Sequence, residues 1–229
     1  MSTIADFRTW FNNRVRDAAS RFTDAQRDDA ITAAVKRYGQ VRPLQGVQDY
    51  PGDGATFDLA LPTGWVTDFS IVRAIEYPAG EREPVYLETE SYQLYQSPSA
   101  TKLRLLDTTP ATGKTARVTF TKPHLVDASG SSIPSVDEEA LSNLAAAIGL
   151  RELASIYAGT VDPSIAADVV NYRSKAQEYQ SLAKDLEALY RSHLGLDKES
   201  EAKAASSFKD VDQTDSVGMD KLTHPNRYR

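Results

Sequence analysis

Near the start of the chain apolar residues return at intervals of three and four: Ile4, Phe7, Phe11 and Val15 form one stripe. That spacing predicts a helix with one buried face. Thr3 stands just before the stripe and Asp6 three residues later, a capping arrangement, with Trp10 beside the stripe. After a break at residues 20–22, Thr23-Asp24-Ala25-Gln26 reads as a second capping box, followed by Ile31, Ala34, Val35 and Tyr38, with Gly39 and Pro43 as the end signal. The two predicted helices are short and close enough to form an αα-hairpin.

From about residue 44 the period changes to two. Phe57, Leu59 and Leu61 alternate, and a Pro62-Thr63-Gly64 turn leads to Trp65 and an apolar run over 69–77, punctuated by Pro78 and Gly80. Further strand candidates lie at 85–87, 92–95, 102–106 and 116–121, separated by Ser97-Pro98-Ser99 and Pro110-Ala111-Thr112-Gly113. Short strands at this spacing predict a small antiparallel sandwich or barrel.

Helical periodicity then resumes. Ser135-Val136-Asp137-Glu138 is a further capping box, opening an alanine-rich helix through Leu141, Leu144, Ala145, Ile148, Leu153 and Ala154 to about Tyr157. Thr160-Val161-Asp162-Pro163 is a short enough connection to fold the next helix back antiparallel. That helix has Asp162 as N-cap and Pro163 in its first position, and it closes at His193, Leu194 and Gly195. It should run about 30 residues, roughly 45 Å. Ile165, Val169, Tyr172, Ala176, Tyr179, Ala183, Leu186 and Tyr190 form an unbroken heptad seam along it, and a seam wants a partner helix. Tyrosine alternating with alanine suits a half-wet contact, so these positions are expected at a subunit interface. The competing reading is a monomeric bundle whose tyrosines carry their hydroxyls to polar partners.

The expected fold class is therefore α+β: two N-terminal and two C-terminal helices, the last one long, form a helical bundle with an inserted small antiparallel β domain. The corresponding segments are a helical hairpin over 1–43, the β domain over 44–126, a helix pair over 127–195 and an extended or disordered tail over 196–229. In the tail Phe208, Met219, Leu222 and Tyr228 are the sizeable apolar residues, too few to fold alone.

Composition narrows the functional classes. Over 229 residues the chain is 41% hydrophobic and 25% charged, with a net charge of −6. That balance repels nucleic acid and anionic membrane in general. The chain has no cysteine, which removes disulfides and thiolate metal sites and fits completion in a reducing cytoplasm. Ser2, Thr3, Asp6, Arg8, Asn12 and Asn13 make the N-terminus polar, and no unbroken apolar stretch reaches signal or membrane-spanning length.

Candidate chemistry dissolves on inspection. Gly113-Lys114-Thr115 echoes a phosphate-binding loop, but Thr108 stands where the first glycine belongs and no helix follows, so a hairpin turn is expected. Gly52-Asp53-Gly54 also reads as a turn. His124, His193 and His224 have no metal-spaced partners, and His193 suits the last turn of its helix as a cation. The pairs Glu81 with Glu83 and Glu88 with Glu90 read as a solvated strand edge. Asp210, Asp212 and Asp215 lack the glycine and terminal glutamate of a calcium loop. No catalytic, cofactor or metal site is expected.

The arrangement resembles a known family. The helical hairpin ending in residues 38–43, the strand over 57–62 with Trp65, the Thr121-Lys122-Pro123-His124 exit, and the paired helices with Leu144-Ala145-Ala146-Ala147 and residues 172–175 resemble head-to-tail connector proteins of tailed bacteriophages, the adaptors that ring the portal. The resemblance implies a virion protein of the neck, assembled in the host cytoplasm, in a homo-oligomeric ring that is twelvefold in the family. It implies portal protein above, a downstream tail or neck protein below, and DNA passing through the channel without specific binding. It makes the tail a portal-docking segment, with Phe208, Met219, Leu222, His224, Pro225, Arg227, Tyr228 and Arg229 as anchors. Two other classes compete: a virion or cell-surface module whose β domain recognises carbohydrate through Trp65, Tyr86, Tyr92 and Tyr95, and an enzyme using Glu88 and Glu90 as acid and base.

Overall fold

The computed structural model of the chain describes residues 2–16, 22–159 and 172–196. Within them the fold is α+β, built from four helices and two small antiparallel sheets.

Helix α1 (Ile4–Arg14) buries the stripe read from sequence: Phe7, Phe11 and Val15 are all at most 3% exposed. The Thr3 backbone N–H donates to Asp6 Oδ2 at 2.8 Å, so the cap forms as expected. Helix α2 (Asp24–Val41) opens with the Thr23 and Gln26 capping box and buries Ile31, Ala34, Val35 and Tyr38. It runs two residues beyond Gly39, the expected stop, and ends just ahead of Pro43, whose ring disfavours helical backbone in the residue before it.

Helix α3 (Glu138–Gly159) is the hub, packed against α1, α2 and α4 (Tyr172–Leu194). Its middle is apolar on nearly every side, and Leu141, Leu144, Ala146, Ala147, Leu150 and Leu153 are all at most 2% exposed. A helix with apolar residues all round needs neighbours all round, and the alanines let them approach. Ser135 does not cap α3: residues Ser135–Asp137 form a single 3-10 turn first, and Asp137 turns inward instead of capping.

Between α2 and α3 lie the strands. In one sheet β6 (Thr115–Lys122) is central, paired antiparallel with β1 (Leu44–Pro51) and β3 (Val72–Glu76). In the other, β5 (Thr101–Leu105) is central between β2 (Asp58–Ala60) and β4 (Tyr92–Gln96). Leu59, Ile75, Leu103, Leu105 and Val118 make a second core, separate from that of the helices.

Strand β1 lies ahead of the first strand candidate read from the sequence, at 57–61, for a visible reason. Its inward positions include Gly46 and Gln48, while Val47 points out and is 60% exposed. A Cβ on Gly46 would sit 2.7 Å from the Phe120 ring, so the aromatic fills the space that an apolar side chain would have marked. Residues 88–90 also differ from expectation: Glu90 lies in a 3-10 turn (Thr89–Ser91) that Glu88 precedes, not on a strand.

Candidate functional site

The longest helix among the described residues is α4, 23 residues and thus about 35 Å. It ends as its sequence indicates. Gly195 has φ +69°, its N–H donates to the Ser192 carbonyl, and the Leu196 N–H reaches back to Arg191. That pair of bonds closes the last turn in a Schellman motif, which only a glycine enters without strain.

Along the seam the described positions divide. Ala176, Ala183 and Tyr190 are 7%, 0% and 5% exposed, buried in the core that α3 dominates. Tyr179 and Leu186 pack at the edge of that core and are half-buried, with the Tyr179 ring 5.5 Å from that of Tyr157 on α3. Ile165 and Val169 lie outside the described residues, as does the side chain of Tyr172. What α4 leaves open is the next row round the helix, where Leu182 is 41% and Leu189 57% exposed.

The C-terminal end of α4 is pinned by Asp137, a residue that sequence reading placed in a cap. Its carboxylate is 3% exposed. Tyr38 Oη donates to Oδ2 at 2.5 Å, Arg42 Nη1 donates to both oxygens at 2.9 and 3.0 Å, and His193 Nε2 lies 2.8 Å from Oδ1. Burial pushes the Asp137 carboxyl up, but the bonds from Tyr38, His193 and Arg42 outweigh it and hold the group below the ordinary carboxylate value. Burial raises the Tyr38 hydroxyl, and its bond to the carboxylate adds to that. One side chain thereby ties the ends of α2 and α4 to the start of α3. His124 extends the junction toward the sheets, donating from Nε2 to the Arg42 carbonyl at 2.9 Å while Nδ1 faces Ser132.

Tyr190 is buried within its own chain, yet it departs from the competing reading in which seam tyrosines carry their hydroxyls to polar partners. Its hydroxyl is buried with no hydrogen-bond partner among the described residues, and burial pushes its pKa up to about 12. A buried hydroxyl without a partner costs about 1–3 kcal/mol. Tyr190→Phe is therefore expected to leave urea-unfolding stability unchanged or raise it by about 1 kcal/mol; a loss of that size would show that the hydroxyl is bonded in solution.

The remaining sequence candidates are turns and ion pairs. Gly54 and Gly113 have φ of +76° and +82°, and their turns dock together through the Gly54 N–H to the Pro110 carbonyl. Hydrogen bonds from Thr56 and Ala55 lower the Asp53 carboxyl to about 2. Glu81 pairs with Lys114 at 2.9 Å. The aromatics of the carbohydrate reading do not assemble into one platform. Trp65 stacks against Phe120, Tyr92 packs on the strand core, Tyr95 lies over the Arg104 guanidinium at 3.5 Å, and Tyr86 is 59% exposed beside Glu76. Tyr92 and Tyr95 sit on opposite faces of β4 by strand alternation. Among the described residues no group of metal-ligating side chains and no helix long and apolar enough to cross a membrane is found. Phe208, Met219, Leu222, His224, Pro225, Arg227, Tyr228 and Arg229, with the acidic run at 210–215, lie outside the described residues.

No protein family and no curated protein matches the sequence. Among solved structures, a chain from the neck of a native gene transfer agent particle, computed with C12 symmetry, is similar over 77% of this chain and 87% of that one, at 18% identity and a TM-score of 0.28. A chain from the virion of the native particle is similar at 17% identity over 77% and 88% of the two chains, TM-score 0.28. One from the neck of the empty particle, computed with C6 symmetry, shows 16% identity over 77% and 88%, TM-score 0.29. TM-scores this low mean that the alignments do not superpose one overall shape.

Proposed function

We propose that the chain is a structural virion protein, a head-to-tail connector that forms a ring under the portal, extends the DNA channel and offers the tail its attachment surface. It acts by shape and placement and performs no catalysis. The observation that carries this reading is the one-sided packing of α4. The helix packs chiefly on α3 and turns a leucine row to solvent, which is the anatomy of an element completed by a neighbour. The net charge of −6 supports a channel wall that lets DNA pass, because a negative surface offers phosphates few counterion-releasing contacts.

In this reading Ile165, Val169 and Tyr172 continue the contact with sibling subunits, and the tail anchors on the portal through Phe208, Met219, Leu222, His224, Pro225, Arg227, Tyr228 and Arg229. The ring is twelvefold, in line with the family that the sequence resembles. Electron microscopy of the purified chain mixed with its cognate portal tests the reading. A second tier of density beneath the portal is the expected result, and bare portals at saturating protein overturn it. Deleting residues 197–229 is expected to weaken that association while the thermal melt stays within about 2 °C of the parent, since the few sizeable apolar residues there are too few to fold alone. A truncated chain that docks as well as the full one removes the tail from the mechanism.

A further inference from the structure

Two surfaces of this chain complement each other in charge and apolar character, and among the described residues no ion pair joins them. The first is on α4. The exposed Leu182 and Leu189, with Tyr179 and Leu186 half-buried at the edge of the α3 core, follow the three-four spacing of a coiled-coil seam. Glu178 and Asp185, both exposed, flank this row one heptad apart. The second is the last two turns of α2, where Lys36, Arg37, Gln40 and Val41 are all exposed, Val41 at 41%, with no acidic residue among them. None of these four charged side chains enters an ion pair among the described residues.

Helices α2 and α4 each pack on α3 and are joined at their C-terminal ends through Asp137. An apolar row with an acidic flank and an apolar-basic surface on one rigid bundle satisfy each other only between molecules. Antiparallel pairing of α4 with α4 would set Glu178 and Asp185 of one copy against those of the next, and like charges at an interface are costly. We propose that the Leu182 and Leu189 face of α4 docks on the C-terminal part of α2 of a second copy of this chain. The contact is heterologous: the two patches differ, so each molecule keeps one donor and one acceptor surface and the series continues until rotation closes it. The proposal rests on the ring reading above and deepens it by naming which faces meet.

The absence of cysteine makes the test clean. The full-length double variant Leu182→Cys with Gln40→Cys, oxidised in the presence of the cognate portal, is expected to give a ladder of disulfide-linked multimers on non-reducing gels. Adding Glu178→Lys and Asp185→Lys should abolish the ladder, and further adding Lys36→Glu and Arg37→Glu should restore it. That restoration is beyond a merely destabilised variant, and circular dichroism on each protein confirms folding. A second tier of density without a ladder overturns these surfaces and leaves the ring reading standing. A ladder that also forms without portal, and no tier with it, upholds the contact and removes the portal. Neither tier nor ladder overturns both. Cross-linking of Leu182→Cys alone into dimers overturns the heterologous geometry.

Discussion

Asp137→Ala is expected to lower the unfolding free energy by about 3 kcal/mol at pH 7. The substitution leaves the buried Tyr38 hydroxyl without its acceptor and frees Arg42 and His193 together. The Arg42 and His193 side chains are 42% and 41% exposed, so solvent screens their share, and most of the loss comes from the hydroxyl and from the junction it held. Asp137→Asn keeps an acceptor for Tyr38 while removing the charge, and its loss should fall between parent and alanine variant. The pH dependence follows from the depressed carboxyl. A group whose pKa is lowered on folding contributes its full stability above its unfolded value, 3.8 here, and loses it as pH falls through the folded value. The stability gap between parent and Asp137→Ala, measured by urea unfolding, should therefore narrow between pH 5 and pH 3. Comparing the two proteins cancels the other depressed carboxyls, such as Asp28 and Asp49. A gap unchanged over that interval would sink the assignment.

The second large effect is expected at Gly149. A Cβ there would stand 2.4 Å from Phe11 Cζ and 3.4 Å from the Phe22 ring. Phe11 is 2% exposed and stacked on Phe22 with centroids 5.6 Å apart, so the ring has no free space to enter. Glycine normally weakens a helix interior by about 1 kcal/mol relative to alanine, and here it is what lets α1 close on α3. Gly149→Val should cost about 3 kcal/mol through overpacking. Phe11→Leu in the same chain removes the ring from the contested space and should recover part of that loss. A double-mutant cycle measures the recovery as a coupling of about 1 kcal/mol or more. Strict additivity would mean that the backbone yields instead, and that the close approach is not what the glycine serves.

Both sites show how sequence and structure divide the information. Nothing in the spacing of residues 11 and 149, or of 38, 42, 137 and 193, connects them, because those contacts span most of the chain. Asp137 was visible only as a member of a local motif, and the local motif lost to a buried network of greater worth. Strand β1 was hidden for a similar reason: Gly46 makes room for Phe120, so the partner's bulk replaced the pattern.

Local order, by contrast, was written in the chain. The Thr3 and Thr23 caps, the stripe from Ile4 to Val15, the Gly195 stop and the turns at Gly54 and Gly113 each depend on neighbours within a few residues, and their chemistry is complete at that range. The seam on α4 marks the limit. Periodicity determines that Ala176, Ala183 and Tyr190 share an apolar face, but an apolar face is satisfied by any surface that excludes water. Only the tertiary structure decided that α3 of the same chain covers those residues and that Leu182 and Leu189 remain in solvent, because burial depends on which elements the whole chain brings within contact.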